Sequence, residues 1–161
     1  MTTDAEIEIV ASLAREIWNE HFPSIIGQAQ VDHMLATIQS AEAIRRQVRD
    51  EGYEYDLIVV DEQPVGYVAV TVTSLASAQL SKLYVLGSHR GRGVAKSVIA
   101  QLDSRCSARG IEELWLTVNR HNAGPIAAYQ RIGFTVSGTI VTDIGEGFVM
   151  DDYRMTKPTT S

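Results

Sequence analysis

Residues 87–96 read GSHRGRGVAK, a glycine-rich basic stretch in a chain whose formal charge is −6. An apolar run, LYVL at 83–86, comes before it, and from Gly93 to Arg109 the apolar residues recur at helical spacing. A strand that leads through such a turn into a helix is typical of an anion site, because the N–H groups at a helix N-terminus are unpaired and the helix dipole attracts negative charge. A tight turn that needs glycine only for its geometry explains this stretch equally well.

The spacing of the glycines separates the possible phosphate-binding motifs. A Walker A loop requires GxxxxGK[ST], and Lys96 does not directly follow a glycine. A dinucleotide fingerprint, GxGxxG, could begin at Gly91 and Gly93, but Lys96 then occupies the third glycine position, and no acidic residue closes a second strand about 20 residues later. The pattern that fits is R-x-x-G-x-A, from Arg90 to Ala95.

The composition is that of a globular chain of ordinary size. With 161 residues, of which 45% are hydrophobic, we expect a single domain over 1–161. The negative charge argues against a nucleic-acid-binding surface. Because the N-terminus lacks a signal-peptide pattern and no window approaches about 18 apolar residues, we expect a cytoplasmic protein without a membrane partner.

The residues that bind metals or form disulfides are few. Cys106 is the only cysteine, so no intrachain disulfide can form, and we expect it to be a half-buried helix residue. The four histidines are scattered and include no HxxxH pair, so no metal site is expected.

Hydrophobic periodicity predicts a helical first third followed by a mixed remainder. Helices are expected over 4–20, 28–38, 40–50, 93–109 and 123–132, and strands over 56–60, 65–72, 78–85, 113–118, 134–142 and 147–156. The fold class predicted from this order is α+β, with a mixed sheet that contains one βαβ-like unit.

A second block of sequence supports the R-x-x-G-x-A match. It follows the pattern N-x-x-A-[IV]-x-x-Y-x-x-x-G-F, with Pro125 in place of the alanine, at Asn122, Ile126, Tyr129, Gly133 and Phe134. With both blocks, the chain resembles the GNAT superfamily of acetyl-CoA-dependent N-acetyltransferases over roughly 54–157. The segment 17–40 resembles a bacterial branch associated with polyamine and amino-terminal acetylation.

The resemblance implies a fold and a co-substrate. The expected fold is a mixed, mostly antiparallel central sheet with helices on both faces and splayed central strands, whose usual first strand is missing or cut to 1–3. The co-substrate is acetyl-CoA, and no metal is required. The residues implied to contact acetyl-CoA are Leu83, Tyr84, Val85, Arg90, Gly91, Arg92, Gly93, Val94, Ala95, Lys96, Asn122 and Tyr129.

The same resemblance assigns chemical roles. A backbone N–H at Tyr84 or Val85 would polarise the thioester carbonyl, and Tyr129 would be the catalytic acid that protonates the departing thiolate. A core aromatic residue with a satisfied hydroxyl is the alternative interpretation of Tyr129. Many relatives carry a glutamate base on the third strand, where this chain has Gln79, which cannot accept a proton.

The general base and the acceptor stay open. Candidates for the base are Glu20, His21, Glu146 and Asp151, and water could instead carry the proton away. The favoured function is acetyl transfer to a primary amine of a small molecule, polyamine-like or otherwise, or of a peptide, by direct attack in a ternary complex. The alternative is a CoA-binding regulatory or structural module with little or no turnover. A homodimer is common in the family.

Overall fold

The computed structural model describes residues 3–159, which form six α-helices, one 3-10 helix and six strands. In chain order these elements are α1 (Asp4–His21), α2 (Pro23–Ile26), α3 (Gln28–Thr37), α4 (Ala41–Asp50), β1 (Tyr53–Val60), β2 (Gln63–Val72), β3 (Ser77–Val85), the 3-10 helix (Gly87–His89), α5 (Val94–Ala108), β4 (Glu113–Asn119), α6 (Ala123–Ile132), β5 (Thr135–Gly145) and β6 (Phe148–Pro158). Every predicted helix and strand is present. Two elements, α2 and the 3-10 helix, were not predicted, because they are too short to show a hydrophobic period.

The strands form one six-stranded sheet in the order β1-β2-β3-β4-β6-β5. The pairs β1–β2, β4–β6 and β5–β6 are antiparallel. Strands β3 and β4 are parallel, and their paired residues are Ser77–Gln79 and Glu113–Trp115. The mixed, mostly antiparallel sheet and the α+β class are therefore confirmed.

The chain divides into two compact units. One runs through Thr71 and includes Ser81–Val98; the other consists of Val72–Leu80 and the residues from Ile99 onward. The single domain over 1–161 stays a prediction.

In the first unit, α1 is the first described element. Thr3 caps it, since its hydroxyl accepts the Glu6 N–H while the Glu6 carboxylate accepts the Thr3 N–H. The helix buries one face at helical spacing: Ile7, Val10, Ala11, Leu13, Ala14, Ile17 and Trp18. The expected shortening of the first strand concerns residues 1–3, and Met1 and Thr2 lie outside the described residues.

A buried lysine ties β3 to the connection between α3 and α4 in this unit. Lys82 is 4% exposed, and its Nζ donates to the Ile38 carbonyl at 3.1 Å and to Gln47 Oε1 at 2.9 Å. Gln47 Oε1 also accepts the Tyr55 hydroxyl, and Gln47 Nε2 donates to the Ile38 carbonyl at 3.0 Å. Burial lowers the pKa of Lys82 to about 7.

The second unit is built on the strands β4, β5 and β6. Alternate residues of β4 are buried, at Leu114, Leu116 and Val118. Directly opposite Leu116 on β6 lies Met155, which is also fully buried. A largely buried ion pair between Lys157 on β6 and Asp103 joins α5 to this sheet.

We predict that the stability of the fold rises with pH because of Lys82. The unfolded chain keeps this proton up to about pH 10.4, whereas the folded protein releases it near pH 7. Between these values the unfolded state binds one more proton, so the free energy of unfolding increases by up to about 1.4 kcal/mol per pH unit. Urea unfolding between pH 7 and 9 measures this slope.

The variant Lys82→Met should lose that slope and be more stable at pH 7. The substitution leaves Gln47 Oε1 with the Tyr55 hydroxyl and the Ile38 carbonyl with Gln47 Nε2, so neither acceptor is orphaned. The matched control is Lys96→Met, which removes an exposed lysine and should keep the slope. An equal slope in Lys82→Met and the unaltered protein would contradict the assignment.

Candidate active site

The backbone at 87–96 turns from β3 into α5 through two glycines in the left-handed region. Gly91 and Gly93 both have φ of +76°, a conformation that other residues rarely adopt. A Cβ atom at either position would meet no neighbouring atom within 4 Å. Backbone conformation, and not crowding, therefore explains both glycines in the free protein, and the surface above them is open to a ligand.

The helix that follows offers N–H groups to an anion. Ser97 N–H donates to the Gly93 carbonyl at 3.0 Å, the first hydrogen bond of the helical pattern in α5. By helix geometry, the N–H groups of Val94, Ala95 and Lys96 lie ahead of that bond and have no acceptor within this helix. Together with the helix dipole they suit a phosphate group, so the residues present fit the pyrophosphate of CoA.

The C-terminal end of α1 holds the start of this turn. Glu20 Oε1 accepts the Gly87 N–H at 2.8 Å. A Cβ atom at position 87 would lie 2.3 Å from the same oxygen, so no other residue could stand there without displacing Glu20. Glu20, a candidate base in the sequence analysis, thus contacts the turn directly.

Arg90 is engaged along its whole guanidinium. Nε donates to the Val85 carbonyl at 3.1 Å, Nη1 lies 3.2 Å from Nδ1 of His21, and Nη2 lies 4.0 Å from Glu20 Oε1. Because a guanidinium only donates, His21 Nδ1 is the acceptor in this contact. Arg90 therefore ties the turn to the C-terminal end of α1, although its side chain is exposed, as those of Arg92 and Lys96 also are.

The end of β3 packs against an aromatic cluster of the first unit. The Tyr84 ring lies 5.3 Å from Trp18, 5.5 Å from Tyr67 and 6.1 Å from Phe22, measured between ring centroids. A Cβ atom on Gly66 of β2 would lie 2.3 Å from the Tyr84 carbonyl oxygen, so only glycine permits this approach of the two strands. The cluster and Gly66 fix the backbone at Tyr84–Val85, where the N–H donor to the thioester is predicted.

The second predicted block lies in the second unit and begins at the N-terminus of α6. Asn122 occupies the N-cap position of α6 without a side-chain capping bond, is 6% exposed, and donates its N–H to the Asn119 carbonyl at 2.9 Å. Pro125 is the third residue of α6, within the first turn, where its missing N–H leaves no helical bond unmade.

Tyr129 is held at the other end of α6. Its carbonyl accepts the N–H groups of Gly133 and Phe134 at 3.1 and 3.0 Å, and its ring lies 5.7 Å from the Phe134 ring in an edge-to-face arrangement. The side chain is half-buried, and desolvation raises the pKa of Tyr129 to about 12. The hydroxyl therefore carries its proton at neutral pH, as a general acid must.

The remaining base candidates have other contacts or lie at turns. Asp151 Oδ2 is 3.4 Å from Nη1 of Arg120 in a half-exposed ion pair. Glu146 lies in the turn between β5 and β6 with φ of +54°. Gln79, at the place of the family's glutamate, is opposite Trp115 in the parallel pair of β3 and β4.

Asp152 is an acidic residue that the sequence pattern does not single out as a base candidate. Asp152 is 3% exposed, and its Oδ1 has no hydrogen-bond partner. Burial, and secondarily the charge of Asp151, raises the pKa of Asp152 to about 6. In the sequence Asp152 is one of two adjacent aspartates, and only the pairing of β6 between β4 and β5 buries it.

Three further findings concern the other predictions. Cys106 is buried and not half-buried. Within residues 3–159, no three His, Cys, Asp or Glu side chains are grouped as a metal site would require. In the same range, no helix combines the length and the apolar character needed to span a bilayer.

Comparison with known proteins identifies the family. The acetyltransferase (GNAT) domain model matches residues 24–157. A spermidine N(1)-acetyltransferase of Thermoplasma acidophilum is 21% identical over 150 residues, which cover 91% of this chain and 90% of that protein. A streptothricin acetyltransferase of Streptomyces lavendulae is 30% identical over 79 residues, 48% of this chain and 42% of that protein.

A solved structure shares the fold over nearly the whole chain. The PaiA N-acetyltransferase of Thermoplasma acidophilum, in complex with coenzyme A, aligns with a TM-score of 0.80 at 20% identity, over 97% of this chain and 94% of that one. Since the family model covers most of the chain, the protein belongs to the acetyltransferase (GNAT) family and is an acetyl-CoA-dependent N-acetyltransferase.

Proposed function

We propose that the protein transfers the acetyl group of acetyl-CoA to a primary amine of a small cationic molecule of the polyamine kind, by direct attack in a ternary complex. The observation that carries the proposal is the turn at 87–96, in which two glycines with positive φ open the N-terminus of α5 to an anion. Relatives named for spermidine and for streptothricin support an amine acceptor.

The residues take the following roles. The N–H groups at 94–96 bind the pyrophosphate of acetyl-CoA, and the exposed Arg92 and Lys96 add positive charge. A backbone N–H at Tyr84 or Val85 polarises the thioester carbonyl. Asn122 contacts acetyl-CoA, and Tyr129 gives its proton to the departing thiolate and regains one from the attacking nitrogen.

An assay of thiol release tests the function. Acetyl-CoA is offered with spermidine, spermine, an aminoglycoside, free amino acids and peptides, and the acetylated product is identified by mass spectrometry. We expect turnover with at least one amine and the highest kcat/KM with a polyamine. CoA binding without turnover on any amine would overturn the proposal and leave a CoA-binding module.

The variant Gly93→Asp should bind acetyl-CoA at least about tenfold more weakly, a loss of about 1.4 kcal/mol or more. Its side chain would enter the open space above the turn, strain the backbone at φ of +76° and repel the phosphates. Isothermal titration calorimetry with CoA measures the effect.

Gly110→Asp is the matched control for this variant. Gly110 has φ of +77° and equally open surroundings, but it follows the C-terminal end of α5. This variant should lose similar stability and keep its affinity for CoA. If both variants bound CoA equally well, the pyrophosphate would not lie at the turn.

The variant Tyr129→Phe should lower kcat by about 100-fold or more, the usual contribution of a general acid, and should leave the Kd for CoA nearly unchanged. The ring contact with Phe134 is retained, so the fold should persist. Tyr53→Phe removes another half-buried hydroxyl, on β1, and should retain kcat. A kcat in Tyr129→Phe equal to that of the unaltered enzyme would exclude Tyr129 as the acid.

A further inference from the structure

Asp152 lies in an interior strand, where a carboxyl group is rarely found. Strand β6 pairs with β4 on one side and with β5 on the other, so that Asp152 has Asn119 and Ile140 as its cross-strand neighbours. Its exposed fraction is 3%. Aspartate is almost never this buried without a partner, because burial removes the water that solvates its charge.

The charged groups around Asp152 are committed elsewhere. On its own strand, Asp151 forms the ion pair with Arg120, the residue after β4, and Arg120 also lies 5.3 Å from the centroid of the Tyr153 ring. Arg154 points its guanidinium at the Trp115 ring, at 4.3 Å, and at Glu113, at 3.6 Å.

Strand β5 contributes no charge beside Asp152. Its residue opposite Asp152 is the apolar Ile140, and the next positions along β5 are Thr139 and Val141. The Oδ1 atom of Asp152 receives no hydrogen bond from the protein. A ligand with an N–H group could supply the missing donor.

The position of Asp152 is at the carboxyl end of β4, beside the start of α6. Asn119, opposite Asp152, is the last residue of β4, and its carbonyl accepts the N–H of Asn122. Asn122 is the residue just before the helix that carries Tyr129. In sheets with parallel strands, ligands bind outside the carboxyl ends of those strands, and β4 is the strand of this unit that pairs in parallel with β3.

We propose that Asp152 is the general base of the reaction, which receives the ammonium group of the acceptor on Oδ1 and removes its proton. This inference rests on the proposed function and supplies the base that Gln79 cannot be. It also favours a cationic amine as the acceptor, since a positively charged donor supplies both the hydrogen bond and the charge that compensate a buried carboxylate.

The protons balance as follows. Asp152 takes one proton from R–NH₃⁺ and later releases it to solvent. The free amine attacks the thioester carbon, forming the C–N bond as the C–S bond breaks. Tyr129 protonates the thiolate, and the second proton lost from the nitrogen restores the Tyr129 hydroxyl. The products are R–NH–COCH₃, CoA–SH and one proton.

The test compares Asp152→Asn with the unaltered enzyme, using spermidine or, if it is not turned over, the best amine of the panel. At pH 7.5, kcat/KM for the amine should fall by about 100-fold or more, while the Kd for CoA stays the same. Asp152→Glu should recover part of the activity. The matched control is Asp143→Asn on β5. Asp143 is exposed and accepts the Gly145 N–H, and the side-chain oxygen of an asparagine can accept the same bond.

The pH profile supplies a readout that a structural role would not give. In the unaltered enzyme, kcat/KM for the amine should decline with unit slope below about pH 6, where Asp152 becomes protonated, and this limb should be absent in Asp152→Asn. The midpoint of thermal unfolding of Asp152→Asn at pH 7.5 should be equal to or higher than that of the unaltered protein, because the variant removes a buried charge without a donor.

The outcomes distinguish this inference from the proposed function. Turnover in Asp152→Asn equal to that of the unaltered enzyme, or an unaltered enzyme without a limb near pH 6, overturns the base. If no amine is turned over by any form, the proposed function fails, and calorimetric binding of spermidine then tests whether Asp152 binds an ammonium group. Weaker spermidine binding in Asp152→Asn than in the unaltered protein supports the ammonium site. Equal or undetectable binding in both forms overturns it. An Asp152→Asn variant that does not fold would also overturn the inference, because it would show a structural role.

Discussion

The turn between β3 and α5 is the constraint on which the rest of the molecule depends. A strand that must become a helix within a few residues, with the helix N-terminus open, needs positive φ at Gly91 and Gly93. Neither glycine has a neighbour within 4 Å of the position that a Cβ atom would take, so the backbone conformation is what requires glycine, and the open space above the turn is the room that we propose for the ligand. The proposed anion binding therefore depends on backbone geometry more than on any single side chain.

The acidic residue beneath this anion site needs an explanation of its own. Glu20 brings a negative charge next to the turn that we propose binds phosphate, and this charge opposes anion binding electrostatically. The exposed pair with Arg90 at 4.0 Å is worth less than about 1 kcal/mol, so its energy alone does not justify the position. Glu20 accepts the Gly87 N–H, and Arg90 forms hydrogen bonds with Val85 and His21, so the turn is held in place in the free protein. A turn that is already ordered loses less conformational entropy when it binds a ligand.

The sequence predicted the elements that have a hydrophobic period and the motif that has a glycine pattern. All the longer helices and strands and the turn at 87–96 belong to this group. It did not predict contacts between residues that are distant along the chain. Glu20 contacts Gly87 and His21 contacts Arg90, although more than sixty residues separate the partners along the chain. The hydrophobic pattern of α1 marks Glu20 and His21 only as polar residues. Asp152 alternates correctly for a strand, but its burial depends on both neighbouring strands.

The two buried ionisable groups, Lys82 and Asp152, show how structural and functional burial differ. Both have pKa values displaced toward neutrality, Lys82 to about 7 and Asp152 to about 6, and both are less than 5% exposed. Lys82 donates to two acceptors and lies over two tyrosine rings, so its surroundings accommodate both the neutral and the charged form. Asp152 keeps an oxygen without any donor. A buried group whose hydrogen bonds are complete contributes to the fold, whereas a carboxylate oxygen without a donor costs stability, and we explain that cost by a ligand that supplies the donor.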